Sequence, residues 1–314
     1  MAASRRARPG DPEWAGARER PDPVGPETSL SDDRLAAELV RTAGMLALRL
    51  RAEGLTGERK TSVSDVVTAA DHAAERYIVD QLRRCRPDDG IRGEEGASHA
   101  GGSGRVWVID PVDGTYNFLS GFTYWCSALA LKVEGSASAA GDNGQDNNRD
   151  NGRDDGWDNG RDGAGEPRVL LGAIYQPQED KLWLGGVNCP ATLNGQPIMV
   201  AADLPLAEIS AGTYLHPTWL VQNRAASPWR AAAAGAATLR MLGSGSCDLA
   251  RVADGTLGCW FQHSCPEWDW LPGKAIVGAA GGSTAAVRVN ELDWFIAGTA
   301  TAVAEVAAAL RRGE

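Results

Sequence analysis

The chain has 314 residues, with 31 Lys and Arg against 41 Asp and Glu and a formal net charge of −10. That length can bury a sizeable core and suits two fused parts, and the negative balance argues against a general nucleic-acid binder. No apolar run reaches the roughly 18 residues that a membrane span needs.

Residues 1–29 are rich in Arg, Pro, Gly and acids without an apolar period, and read as a disordered tail. Their arginines precede no apolar h-region, so no signal peptide is assigned. Leu35, Leu39, Ala43, Leu46 and Leu50 then recur at helical spacing, and Ala70, Ala74, Tyr77, Ile78 and Leu82 mark a second helix. Asp71 follows Thr68 at the spacing of a helix-start capping pair. Gly93-Glu94-Glu95-Gly96 next places acids at an element boundary.

Val106 to Ile109 reads as a buried strand, and Pro111, which cannot donate to a ladder, is expected to end it at about Asp110. A turn through Val112-Asp113-Gly114 can aim Asp110 and Asp113 at one point, with Gly114 allowing close backbone approach. Thr115 opens a short helix whose free N–H groups suit a phosphate. Taken alone, this segment is equally a plain surface turn with self-capping aspartates.

Strand-like runs at 124–133 and 169–175 flank Gly135–Glu166, where Asp, Asn, Gly and Arg repeat with eight acids against three arginines. This insert supplies −5 of the net charge and replaces a tight hairpin turn. It has no EF-hand spacing, closing Glu or flanking helices, so a calcium loop is rejected. A further strand at 181–187 and the Asn194-Gly195 turn complete a largely antiparallel sheet.

Beyond residue 200 the pieces alternate: a strand over 209–215, a helix over 228–238, a strand over 239–242, a helix over 246–253, a strand over 257–261, a helix over 269–280, a strand over 294–297 and a last helix. Such alternation predicts a second sheet with helices on both sides. The expected organisation is therefore a tail over 1–29, an N-terminal α+β part over 30–190 and a C-terminal α/β part over 191–314. The six cysteines form no CxxC pair and read as reduced cytosolic thiols, which places the protein in the cytoplasm. Cys259, His263 and Cys265 match no zinc spacing.

Four motifs occur in order: Lys60-x4-Asp65-x-Val67-Thr68-x2-Asp71, Gly93-Glu94-Glu95, Asp110-Pro111-x-Asp113-Gly114-Thr115-x-Asn117-Phe118 and Trp268-Asp269. From about Leu35 onward the chain thereby resembles the inositol monophosphatase family. The resemblance implies an αβαβα sandwich and a Mg²⁺-dependent phosphomonoesterase, with two or three ions, Mn²⁺ as a substitute and Li⁺ as an inhibitor. Hard cations bound by carboxylates suit this task, because phosphate hydrolysis demands neutralised oxygen charge and hydroxide at neutral pH.

By the same resemblance, Glu94, Asp110 and the Val112 carbonyl hold one ion, and Asp110, Asp113 and Asp269 a second. Gly114 and Thr115 amides bind phosphate, Glu94 and Thr115 orient and deprotonate the attacking water, and Asp71 supports the Thr115 hydroxyl. Lys60 and Asp65 belong to a loop near a third ion. Gly245, Ser246 and Gln262 lie on the substrate side. Gln262 stands where inositol phosphatases carry a glutamate, so its acceptor capacity differs. Leu271-Pro272 departs from the small residues usual after the metal Asp.

Inositol 1-phosphate is the leading substrate, with histidinol phosphate, fructose 1,6-bisphosphate and 3′-phosphoadenosine 5′-phosphate as rivals. Relatives are usually homodimers. Since some act through protein partners in transcription, an interaction protein with a retained metal site stands as the alternative of a different class.

Overall fold

The computed structural model describes residues 25–54, 57–59, 66–134 and 168–314. Lys60, Asp65, most of the N-terminal tail and the acidic insert lie outside the described residues.

Helix α1 (Asp32–Glu53) starts with two acids that complement its dipole and ends at Gly54, whose φ of 100° suits glycine. Two short strands, β1 (Gly57–Arg59) and β2 (Val66–Thr68), separate it from α2 (Ala69–Cys85). Next come β3 (Gly90–Gly93), β4 (Ser98–His99), β5 (Arg105–Asp113), the single-turn α3 (Thr115–Leu119), β6 (Cys126–Val133), β7 (Arg168–Gln176), β8 (Lys181–Gly186), β9 (Cys189–Leu193) and β10 (Gln196–Pro197). The remainder is β11 (Ser210–Thr213), α4 (Asn223–Ala233), β12 (Thr238–Arg240), α5 (Gly245–Ala253), β13 (Cys259–His263), α6 (Glu267–Ala279), β14 (Ser283–Val289), β15 (Leu292–Gly298) and α7 (Ala300–Arg312).

Strands β3 to β10 form one sheet in the order β10-β9-β8-β7-β6-β5-β3-β4, antiparallel except for the β3–β5 pair. The second sheet runs β12-β11-β13-β15-β14, with β11 parallel to both of its neighbours. The expected seam at 190/191 falls inside β9, and the first sheet continues to Pro197.

The alternation of β5 explains the layering, because successive side chains point to opposite faces. Trp107 and Ile109 join Leu129, Leu131 and the apolar faces of α1 and α2, including Leu35, Leu39, Ile78 and Leu82. Val106 and Val108 face the other way, with Ala128 and Ala130, onto Leu249, Val252, Leu271 and Ile276 of α5 and α6. Those two helices also touch the second sheet through Trp260, Phe295 and Ala297. Phe261, Trp294 and Ile296 of that sheet bury its outer face under α4 and α7. The stacking is thus helix, sheet, helix, sheet, helix, as the resemblance implies.

Several boundaries differ from the sequence reading, which also lacks β14, and three of the differences fall around a proline. Strand β5 does not end at Asp110 but runs to Asp113, because Pro111 sits in a bulge: Asp110 pairs with Ala128 and Asp113 with Cys126, so Pro111 and Val112 stand opposite the single residue Ser127. Helix α4 occupies 223–233 and not 228–238, with Pro228 in its interior. Helix α6 begins at Glu267, so Pro272 lies in its second turn, where its missing N–H leaves the Trp268 carbonyl without the usual helical bond. The carbonyl oxygen of the buried Pro272 faces Gly172 of β7, where any Cβ would overlap it.

Candidate active site

The site begins at the bulge of β5. Asp110 is 1% exposed, and its Oδ1 accepts from the backbone N–H of Val112 at 3.1 Å, which fixes the carboxylate against its own turn. Asp113, also buried, closes the strand. Its Oδ2 accepts from the backbone N–H of Ser246 at 2.5 Å and from the Ser244 hydroxyl at 3.0 Å. Asp113 therefore lies at the N-terminal end of α5, where free N–H groups and the helix dipole favour a negative charge. Ser244 caps the same helix, accepting from the N–H of Cys247.

Gly114 follows with φ of 90°, and a Cβ there would come within 3.1 Å of the Gly243 carbonyl oxygen and 3.2 Å of Ser244 Cβ. Only glycine allows this approach between the β5 turn and the loop that leads into α5. Asn117 locks it, donating from Nδ2 to the carbonyls of Tyr124 at 2.8 Å and Leu242 at 2.7 Å.

Asp269 arrives from the first turn of α6, and carboxylate oxygens of Asp110, Asp113 and Asp269 lie within 4.8 Å of one another. Burial pushes all three upward in pKa, and the charge of neighbouring acids adds to it for Asp110 and Asp269. For Asp110 the causes are burial first and then the neighbouring charges of Glu94, Asp113 and Asp269. Burial raises Asp113 too, against the lowering effect of the Ser246 and Ser244 hydrogen bonds. Asp269 is pushed up to about 8 by burial and Asp113, partly offset by a hydrogen bond with Asp110.

Glu94 stands in the turn after β3, its N–H donating to the Ile109 carbonyl at 3.1 Å, and its side chain hydrogen-bonds Asp110. The structure thus gathers the four expected acids. An all-oxygen donor set of buried and half-buried carboxylates that resist simultaneous ionisation fits a hard divalent cation, whose charge removes the repulsion.

Thr115 starts α3 beside this cluster. Its hydroxyl is 3.3 Å from Oδ1 of Asp71 and 3.0 Å from the Val112 carbonyl oxygen. Asp71, in the first turn of α2, is fully buried and faces the site. Gly245 and Ser246 form the first turn of α5. Gln262 lies half-buried on β13, opposite Phe295 of β15, on the strand that leads into α6.

Several site neighbours escaped the sequence reading. Glu75, one turn after Asp71, accepts from the N–H groups of Glu95 at 2.9 Å and Ala97 at 3.1 Å and so shapes the Glu94 turn. Its spacing of four from Asp71 on one helix was the available signal. Asp248 of α5 accepts from the Tyr124 hydroxyl at 2.7 Å, and burial pushes it up to about 8. Nothing in its local sequence marks it. Cys259, His263 and Cys265 make no metal cluster among the described residues; His263 is packed between Trp219 and Trp294.

Residues 31–140 and 164–312 match the model of the inositol monophosphatase family. The chain is 29% identical over 267 residues to a fructose-1,6-bisphosphatase/inositol-1-monophosphatase of Thermotoga maritima, covering 84% of this chain and 88% of that protein. It is 30% identical to the Nus factor SuhB of Xylella fastidiosa, with 79% of each chain covered. Among solved structures, the extragenic suppressor protein SuhB of Bartonella henselae superimposes with a TM-score of 0.72 at 23% identity, over 88% of this chain and 97% of that one. This last likeness speaks for the fold.

Proposed function

Because the chain belongs to the inositol monophosphatase family, we propose that it is a Mg²⁺-dependent phosphomonoesterase that hydrolyses a small phosphorylated metabolite, with inositol 1-phosphate as the leading substrate. The observation that carries this reading is the convergence of Asp110, Asp113 and Asp269 within 4.8 Å. Three carboxylates at that separation, two of them buried and Asp269 half-buried, are unstable as neighbours unless protons or cations join them.

Glu94, Asp110, Asp113, Asp269 and the Val112 carbonyl would hold the ions. Bound Mg²⁺ supplies Lewis-acid neutralisation of phosphate oxygens and makes water a better acid. The chain's own groups do the rest. Thr115 and Glu94 orient the attacking water and accept its proton, while Asp71 accepts from the Thr115 hydroxyl and fixes its direction. Gly114 and Thr115 present backbone N–H groups to phosphate oxygens. Gly245, Ser246 and Gln262 face the alcohol side of the ester, where an amide in place of a carboxylate still binds a hydroxyl but carries no charge.

A panel of esters separates the substrates: inositol 1-phosphate, histidinol phosphate, fructose 1,6-bisphosphate and 3′-phosphoadenosine 5′-phosphate, with phosphate release followed with and without Mg²⁺. Release should require Mg²⁺, be fastest for inositol 1-phosphate and be inhibited by Li⁺. No release above background from any ester would overturn the enzymatic reading. The SuhB relative named as a Nus factor favours a second role through a protein partner. Capture of a defined transcription complex by both wild type and an Asp113→Asn variant would support that role independently of turnover.

A further inference from the structure

Two residues upstream of Asp269, Glu267 opens α6 with its carboxylate 4% exposed and held from both sides. Oε1 accepts from Arg92 Nη1 at 2.5 Å, and Oε2 accepts from Lys132 Nζ at 2.6 Å. Lys132, itself 4% exposed, lies on β6, and Arg92 lies on β3 with its other nitrogen reaching Glu134 at 3.4 Å. A buried carboxylate and a buried ammonium lose much hydration, and apolar residues of similar volume are often as stable. Stability is therefore a poor reason for this cluster.

Its position supplies a better one. Arg92 precedes Glu94 by two residues, just as Glu267 precedes Asp269 by two. The ion pair therefore joins the strand that delivers one acid of the site to the helix that delivers another. Lys132 ties the same helix end to β6, beside β5, which carries Asp110 and Asp113.

We propose that Glu267 is a positioning residue for the cation site, anchored by Lys132 and Arg92, and that this cluster sets how tightly divalent cations bind between Glu94, Asp110, Asp113 and Asp269. The inference rests on the metal reading of those four acids. Groups that hold metal ligands in place from behind influence metal affinity strongly, because a ligand that can wander costs order on binding.

The test is calorimetric titration of the full chain with Mn²⁺, in the absence of any ester, for wild type, Asp269→Asn, Glu267→Gln, Arg92→Met and Arg92→Lys. Glu267→Gln should raise the dissociation constant roughly tenfold, and Arg92→Met by a smaller factor that Arg92→Lys largely restores. Because Arg92 is half exposed, its variants should keep the wild-type melting temperature, and they decide the matter if Glu267→Gln does not fold. Wild-type affinity in Glu267→Gln and Arg92→Met, with binding lost in Asp269→Asn, would overturn the inference alone. Wild type that binds Mn²⁺ no better than Asp269→Asn would overturn the cation reading and this inference with it.

Discussion

The hydroxyl of Thr115 sits between Oδ1 of the fully buried Asp71, 3.3 Å away, and the carbonyl oxygen of Val112, 3.0 Å away. It has one proton and two acceptors to choose from. When that proton is committed to Asp71, the oxygen's lone pairs are free to accept a proton from a water. Thr115→Val removes this capacity and keeps the shape. We expect its turnover to fall by about 10²-fold or more, as for loss of a positioned proton acceptor, with KM little changed and most activity retained in Thr115→Ser. Steady-state phosphate release measures both; a Val variant with wild-type kcat would remove Thr115 from the proton path.

Asp113→Asn should separate function from stability. The carboxylate raises the pKa of Asp269 and Asp110 by repulsion, so its replacement by a neutral amide relieves the cluster. The amide oxygen can still accept from the Ser246 N–H and the Ser244 hydroxyl. Phosphate release should therefore drop by orders of magnitude while the metal-free melting temperature equals or exceeds that of wild type. A metal-free variant much less stable than wild type would show that Asp113 serves chiefly as a helix anchor.

The raised carboxyls also predict how stability follows pH. A carboxyl whose pKa is higher in the folded state holds its proton more tightly there, so its contribution is full below the unfolded value near 4 and is lost as pH rises through the folded value. For Asp269 and Asp248 the folded values are about 8. The metal-free melting temperature should thus decline steadily from about pH 5 to pH 8. Saturating Mg²⁺ should flatten the part owed to Asp110, Asp113 and Asp269 and leave the part owed to Asp248, which lies at the Tyr124 hydroxyl. Melting curves across this range, with and without Mg²⁺, check it; identical slopes would disconnect the acids from the cation.

What was legible in the chain follows from the range of the forces involved. The Asp110-Pro111-x-Asp113-Gly114 turn could be read locally, since Pro and Gly restrict the backbone directly and the two acids are three residues apart. Asp269 could not be located by periodicity and was reached through the ordered motifs. Long amphipathic helices such as α1 were visible, whereas β3, β4, β9 and β10 are too short to display alternation. The continuation of β5 through Pro111 was hidden because a bulge lets the ladder resume beyond a residue that cannot donate. Lys132 was the one signal of the Glu267 cluster: a cation inside the apolar run Cys126–Val133, whose partner is on a helix far along the chain. Which residue pairs with such a cation leaves no trace in local pattern.

Residues Val133 and Arg168, the ends of β6 and β7, are already cross-strand partners. The 34 residues between them therefore have only to close a loop whose ends the sheet brings together. Deleting 136–165 leaves four residues, enough for a hairpin turn. Closing a shorter loop costs less entropy, and the logarithmic dependence makes the gain about 2 kcal/mol. The deletion removes seven acids and three arginines, far from any of the four clustered carboxylates in sequence. Phosphate release should match wild type, and the denaturation midpoint should rise. If instead the deleted protein keeps its fold and loses turnover, the insert acts on the site; if it keeps turnover and loses capture of a transcription complex that wild type retains, the insert is where that partner is held.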